Sequence, residues 1–477
     1  MRHKLSTFSD FAATLLPHET AGLLSAHTFS DPEKQAILER LHHNCQHIQH
    51  PQPFDEHIDK RKYSSLKTWI SDHLQKTDAD ARLEWMSHTE RKIISDAIEP
   101  EEERAVLRAL REVKPTDYFF VKFYELVQAF RHFLLIRLRH DEHNATNRYI
   151  EQHRAAYLRS KQTYEQLHEA TLDITRQHAT GQGESEQWQQ WLTEVFYDET
   201  LDGQNRYFAL VRLIFVHLNY GRLSVLLEKF DFQDKVFQRG VYYSRRLLLN
   251  YYSQRLLLHS KLKDYDTAAY YGYLSIRGKN SDYVFYVNNL AAVLLRTKKY
   301  PEALALMKTA HPEAKITRNL YNKIGFVSFY MRCLICNRQY RNAESYGATF
   351  LKAYSKEIFN YRWHLFFTNY LAALFFLGKT ARLLGVIRQH ALIARDLSYS
   401  KTPAYLPFIP WLYDIAGYIE TGKGMQKLAD SVSRYIKAMP TDSERLPQVR
   451  DFWEDIREKV PELYSLVMAR GLGGFFR

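Results

Sequence analysis

The chain has 477 residues, of which 45% are hydrophobic and 25% charged, and carries a formal net charge of +12. Eighteen glycines and fourteen prolines are too few for a turn-rich β-sandwich or a long disordered tract, so an all-α fold is expected. Three cysteines, Cys45, Cys333 and Cys336, cannot build a disulfide framework, and reduced thiols point to a cytoplasmic location.

The basic MRHK start is not followed by a clean apolar run, because Asp10 and His18 interrupt it, so no cleavable signal is expected. From residue 5 to about 50 apolar residues recur at three and four. Asp31, Pro32 and Glu33 supply a cap, a first-turn proline and an acid ahead of a helix. Pro51 and Pro53 mark a loop, after which SLKTWISDHL and ARLEWMSHTERKIISDAI resume helical spacing. Beyond Pro115, YFFVKFYELVQAFRHFLLIRLRH is apolar on more than one stripe and predicts a central helix. A polar helix over 149–178 follows, then the flexible GQGES stretch at 181–185. These signals predict an N-terminal helical domain over 1–180 and a linker region over 181–202.

Past residue 200 the sequence repeats itself. In YVNNLAAVLLRTKKYPEALALMKTA (286–310), Leu290, Ala291 and Leu294 lie on a first helix, Tyr300 at a turn, and Ala303, Met307 and Ala310 on a second. Tyr265 with Ala268 precedes this unit and Tyr340 with Ala343 follows it, at spacings of 35 and 40 residues. LAALFFLGK at 371–379 parallels LAAVLLRTK at 290–298, with Thr380 standing near the turn tyrosine's place. Degenerate hairpins are expected at 207–230 and 405–436.

These residue types at these spacings resemble the tetratricopeptide (TPR-like) repeat over about residues 203–439. The resemblance implies a TPR-like α-solenoid of antiparallel hairpins over 203–440, following the N-terminal bundle, with C-terminal helices and a Gly/Phe tail over 441–477. Such arrays stack into a superhelix with a concave face. The resemblance also implies that the fifth position of each first helix lines that face. This position falls on Ser253, Asn288, Ser328 and Asn369, with Asn250 and Arg332 nearby. An extended peptide held by these groups is the expected ligand, and a non-catalytic protein–protein interaction adaptor the expected function.

Charge narrows the partner. Residues 1–200 hold 25 basic and 32 acidic side chains, net −7, whereas 201–477 hold 41 and 22, net +19. The basic patch includes Arg239, Arg245, Arg246, Arg255, Lys261 and Lys263. It favours an acidic partner: a protein surface, the chain's own N-terminal region, or nucleic acid. Two alternatives stay open: a nucleic-acid-binding repeat protein using the basic, tyrosine-rich stretch, and a regulator closing on a small peptide signal.

Signatures of catalysis are weak. Gly378-Lys379-Thr380 lacks the earlier glycine of a phosphate loop, since Ala373 stands there, and reads as a hairpin turn. Cys333 and Cys336 have CxxC spacing without a second pair, inside an apolar helix. His43 and His47 stand one turn apart, with Cys45 between them and His50 beyond. His140 and His143 end the aromatic helix. Solvated helical faces explain both histidine sets without a metal. No enzymatic activity, metal or cofactor is expected.

Overall fold

The computed structural model describes residues 5–180, 183–400, 402, 405–437 and 445–472. Among them are 24 α-helices and no strand, and neighbouring helices pack largely in pairs. No helix of the described residues is long and apolar enough to cross a membrane. The helices divide into two compact units, Met1–Asn280 and Ser281–Arg477.

In the first unit the local signals act as their chemistry dictates. Asp31 caps the Pro32–Gln46 helix by accepting from the backbone N–H groups of Glu33 and Lys34. Phe120, Phe123, Leu126, Val127 and Phe130 are all fully buried on the Phe120–Ile136 helix, as multiple apolar stripes require of a central helix. The polar His140–Thr180 helix packs along it. A second cluster gathers Phe8, Leu38, Leu41, Tyr63 and Ile70 from the first 70 residues.

The GQGES stretch lies inside this unit, with Gly181 and Gln182 outside the described residues. Around it the chain stays packed, because the Gly203–Asn219 helix lies along His140–Thr180. Asn205 Nδ2 donates to the Ser160 carbonyl at 2.9 Å, and Arg212 Nε donates to the Leu167 carbonyl at 3.1 Å. The division into compact units falls after Asn280, within the stretch read as one array.

The second unit contains the helix pairs Tyr283–Arg296 with Tyr300–Ile316, Leu320–Cys336 with Tyr340–Tyr361, and Trp363–Phe376 with Thr380–Gln389. Phe408–Thr421 and Met425–Lys437 follow. Its core runs through Ile324, Phe366, Leu371, Trp411 and Trp453.

The turns between these pairs repeat in detail. Lys298, Arg338 and Gly378 adopt φ of 61°, 59° and 71°, each two residues before the next helix. Lys263 does the same in the first unit with φ 64°. The following N–H reaches back five residues: Asp264 to His259, Lys299 to Leu294, Gln339 to Leu334 and Lys379 to Leu374, at 2.8–3.0 Å. These are Schellman turns, which satisfy the last carbonyls of the first helix. Three residues into the second helix, Ala268, Ala303, Ala343 and Leu383 are fully buried. A Schellman turn also occurs at Leu138, φ 55°, so the turn with its buried apolar residue, rather than the turn alone, marks the repeated pairs.

Candidate functional site

The six polar residues expected to line a groove are mostly consumed by packing. Ser253 and Ser328 are fully buried, and Ser328 Oγ donates to the Ile324 carbonyl at 2.8 Å. Asn369, also buried, donates to the Leu365 carbonyl at 2.9 Å. Asn250 Oδ1 accepts from the Tyr207 hydroxyl at 2.8 Å. Arg332 pairs with Asp455 at 2.6 Å. Helices flanked on both sides leave few solvated positions, and a polar side chain there must bond within the fold.

Asn288 differs. Its Nδ2 donates to the Asn322 carbonyl at 3.0 Å, but its buried Oδ1 accepts from nothing among the described residues. It lines a cavity of about 500 Å³ in the second unit, walled by Phe285, Tyr321, Phe359, Tyr361, Trp363 and Tyr399. Trp363 meets Tyr399 edge-on at 5.5 Å, while the His364 ring stacks on Tyr399 at 4.6 Å. His364 Nε2 lies 3.4 Å from Asp396 Oδ1 without forming a hydrogen bond. Tyr405 donates to the other oxygen of Asp396.

One cation faces this cavity. Arg362 holds its guanidinium carbon 3.8 Å from the centroid of the Tyr321 ring and has no acidic partner among the described residues. Gly325 makes the arrangement possible, because a Cβ there would collide with Arg362 Nη1 and sit 3.2 Å from Asn288 Nδ2. No carboxylate of the described residues lines the cavity. The site therefore offers one buried acceptor, a fork of donors and an aromatic wall.

No family model, curated protein or solved structure matches the chain.

Half of the basic patch of the first unit is paired from within. Arg245 pairs with Glu19 at 2.6 Å and Arg246 with Asp80 at 2.8 Å, while Arg255 pairs with Asp234. Glu19 and Asp80 belong to the acidic first 200 residues, the chain's own candidate partner. Arg255 also lies against the rings of Phe230, Tyr251 and Tyr271. Arg239, Lys261 and Lys263 are exposed.

Asp234 is the hub of a second constellation that no local motif announces, since its partners lie far apart in sequence. It accepts from His18 Nε2 at 2.9 Å and from the Tyr251 hydroxyl at 2.7 Å, while His18 Nδ1 meets the Tyr252 hydroxyl at 2.7 Å. Burial raises the Asp234 carboxyl, but the His18 hydrogen bond and the Arg255 charge outweigh it and leave the carboxyl below its ordinary range. Both histidine nitrogens are occupied, so the set ties the Pro17–Ala26 helix to its neighbours rather than offering a free base.

The remaining sequence candidates are accounted for locally. Burial raises the Cys333 thiol to about 12 and the Cys45 thiol to about 11, and Cys336 is also raised, first by burial; the thiolate is disfavoured at all three. The His43 and His47 rings stack at 4.2 Å. Gly378 occupies a Schellman turn. Phe475 and Phe476 of the Gly/Phe tail lie outside the described residues. Arg362, Tyr321 and Trp363 were not among the sequence candidates, which were drawn from the fifth position of each first helix and from Asn250 and Arg332 nearby. The YRW run at 361–363, a cation between aromatics at a helix junction, is the signal that could have found them.

Proposed function

We propose that the chain is a non-catalytic, tetratricopeptide-like interaction protein that holds an extended, acidic peptide segment in the aromatic cavity of residues 281–477. The observation that carries this reading is the pairing of the unsatisfied Asn288 Oδ1 with the uncompensated Arg362 in one cavity. A peptide backbone supplies both complements: an N–H for the buried acceptor and a carbonyl for the guanidinium. A side-chain carboxylate pairs with Arg362 better still, because its two oxygens match the fork. Tyrosine, tryptophan and arginine in a concave site are also the residue types that dominate binding energies at interfaces.

The internal pairing of Arg245, Arg246 and Arg255 takes three basic groups of the patch away from the phosphate contacts that the nucleic-acid alternative needs.

Selection from a displayed library of random 12-residue peptides against the full chain tests the reading. Acidic peptides are expected to be enriched, and Arg362→Ala or Asn288→Ala should weaken a selected peptide by about tenfold or more. Enrichment without acidic residues, or binding indifferent to both substitutions, would overturn it.

A further inference from the structure

A second cavity, of about 450 Å³, opens in the first unit. Its floor is apolar and buried: Met86, Ala109, Tyr118, Phe123 and Tyr242 are each 9% exposed or less. Trp85, half-buried on the Ala79–Ile94 helix, and Ala105, on the Pro100–Glu112 helix, add to its lining. The small side chains of Ala105 and Ala109 leave width, and the aromatic residues supply faces and edges for a ring to pack against.

The mouth carries charge. Lys76, Arg82 and Arg108 contribute three cations, and Glu112 and Asp117 two acids. The acids are unequal. Asp117 already accepts from the Lys114 backbone N–H at 3.3 Å and faces Arg82 at 3.8 Å, and its half-burial favours the neutral carboxyl. Arg108 and Lys76, both exposed, have no acidic partner among the described residues. The rim thus presents a surplus of donors above an aromatic slot, the combination of apolar lining and few polar groups that orients a small ligand.

We infer that this cleft is a binding site for a small aromatic carboxylate, its flat body between the helices and its acid group on Arg82 and Arg108. The site is separate from the peptide cavity, and its occupation does not depend on that reading.

Calorimetric titration of the full chain with 2-naphthylacetate, its primary amide and decanoate tests the inference. The aromatic acid is expected to bind, with the amide at least about fivefold weaker because it lacks the charge that Arg108 and Arg82 recognise. Arg82→Gln with Arg108→Gln, both exposed at the mouth, should weaken the acid about fivefold or more and leave the amide unchanged. Ala109→Trp fills the slot and should abolish binding of both. Absence of heat with 2-naphthylacetate overturns the site. Equal affinity for acid and amide overturns the role of the arginines, and tighter binding of decanoate overturns the aromatic class. Affinity unmoved by both the double arginine variant and Ala109→Trp places the ligand elsewhere and overturns the assignment.

Discussion

Arg245 donates to the buried carboxylate of Glu19 at 2.6 Å, joining residues 226 positions apart in the chain. The Tyr243 hydroxyl donates to the same oxygen at 2.7 Å, and the other oxygen of Glu19 accepts from the Leu16 backbone N–H at 2.8 Å. One carboxylate thereby caps its own helix and receives the start of the Arg245–Lys261 helix. The side chain of Glu19 is fully buried whereas Arg245 is about one-third exposed, so loss of the acid leaves a partly buried guanidinium and a buried hydroxyl without their acceptor.

Glu19→Ala is therefore expected to destabilise the first unit by about 3 kcal/mol, the range found when one partner of a buried pair is removed. Urea denaturation would measure it. A loss below about 0.5 kcal/mol would mean that the pair adds no more than an exposed one.

Gly325→Ala separates stability from binding. Alanine is favoured over glycine inside a helix by about 1 kcal/mol, and the colliding group, Arg362 Nη1, is the end of a flexible side chain. Thermal stability should stay level or rise, while capture of an acidic peptide falls because Arg362 is pushed off its place over Tyr321. Unchanged peptide affinity in this variant would remove Gly325 from the account of the cavity.

His217 gives the first unit a pH dependence of definite sign. The ring is 1% exposed and neither nitrogen has a hydrogen-bond partner among the described residues. Burial first, then the Lys229 and Arg222 charges, lower its pKa to about 4. The unfolded chain takes up this proton near pH 6.5 and the folded chain only near 4. Stability contributed by this group is therefore lost as pH falls from about 6.5 to about 4, by up to about 3 kcal/mol, and no further below that. His217→Leu removes the step. The measurement is the difference between the two proteins' stability at pH 7 and pH 4.5, which cancels the titration of carboxylates common to both.

Arg338 occupies a left-handed turn with φ 59°, a conformation costly to side chains with a Cβ and readily adopted by glycine. Arg338→Gly should stabilise the second unit by about 0.5–1 kcal/mol. A decrease in the urea midpoint would show that the arginine side chain contributes more than its backbone strain costs.

The parts of the fold legible in the sequence were those governed by neighbours in the chain. Asp31 ahead of Pro32 is a cap by local chemistry. The apolar spacing around Phe120 marks a buried helix, and Tyr300 with Ala303 marks a turn and a close helix contact. The groove was less legible. Ser328 and Asn369 have the polarity of solvated positions, but packing turned them to their own helix carbonyls. Only Asn288 lines the cavity, and its companion Arg362 lies 74 residues away at a helix start.

Helical periodicity, charge distribution and the recurrence of turn tyrosine and alanine are short-range properties, so the amino-acid sequence alone determined an all-helical chain with repeated helix pairs and a basic second half. Which basic groups meet acids, where the compact units divide, and which polar atoms stay unsatisfied were decided by tertiary packing. Those outcomes depend on side chains tens to hundreds of residues apart competing for the same buried partners, and no window of sequence contains that competition.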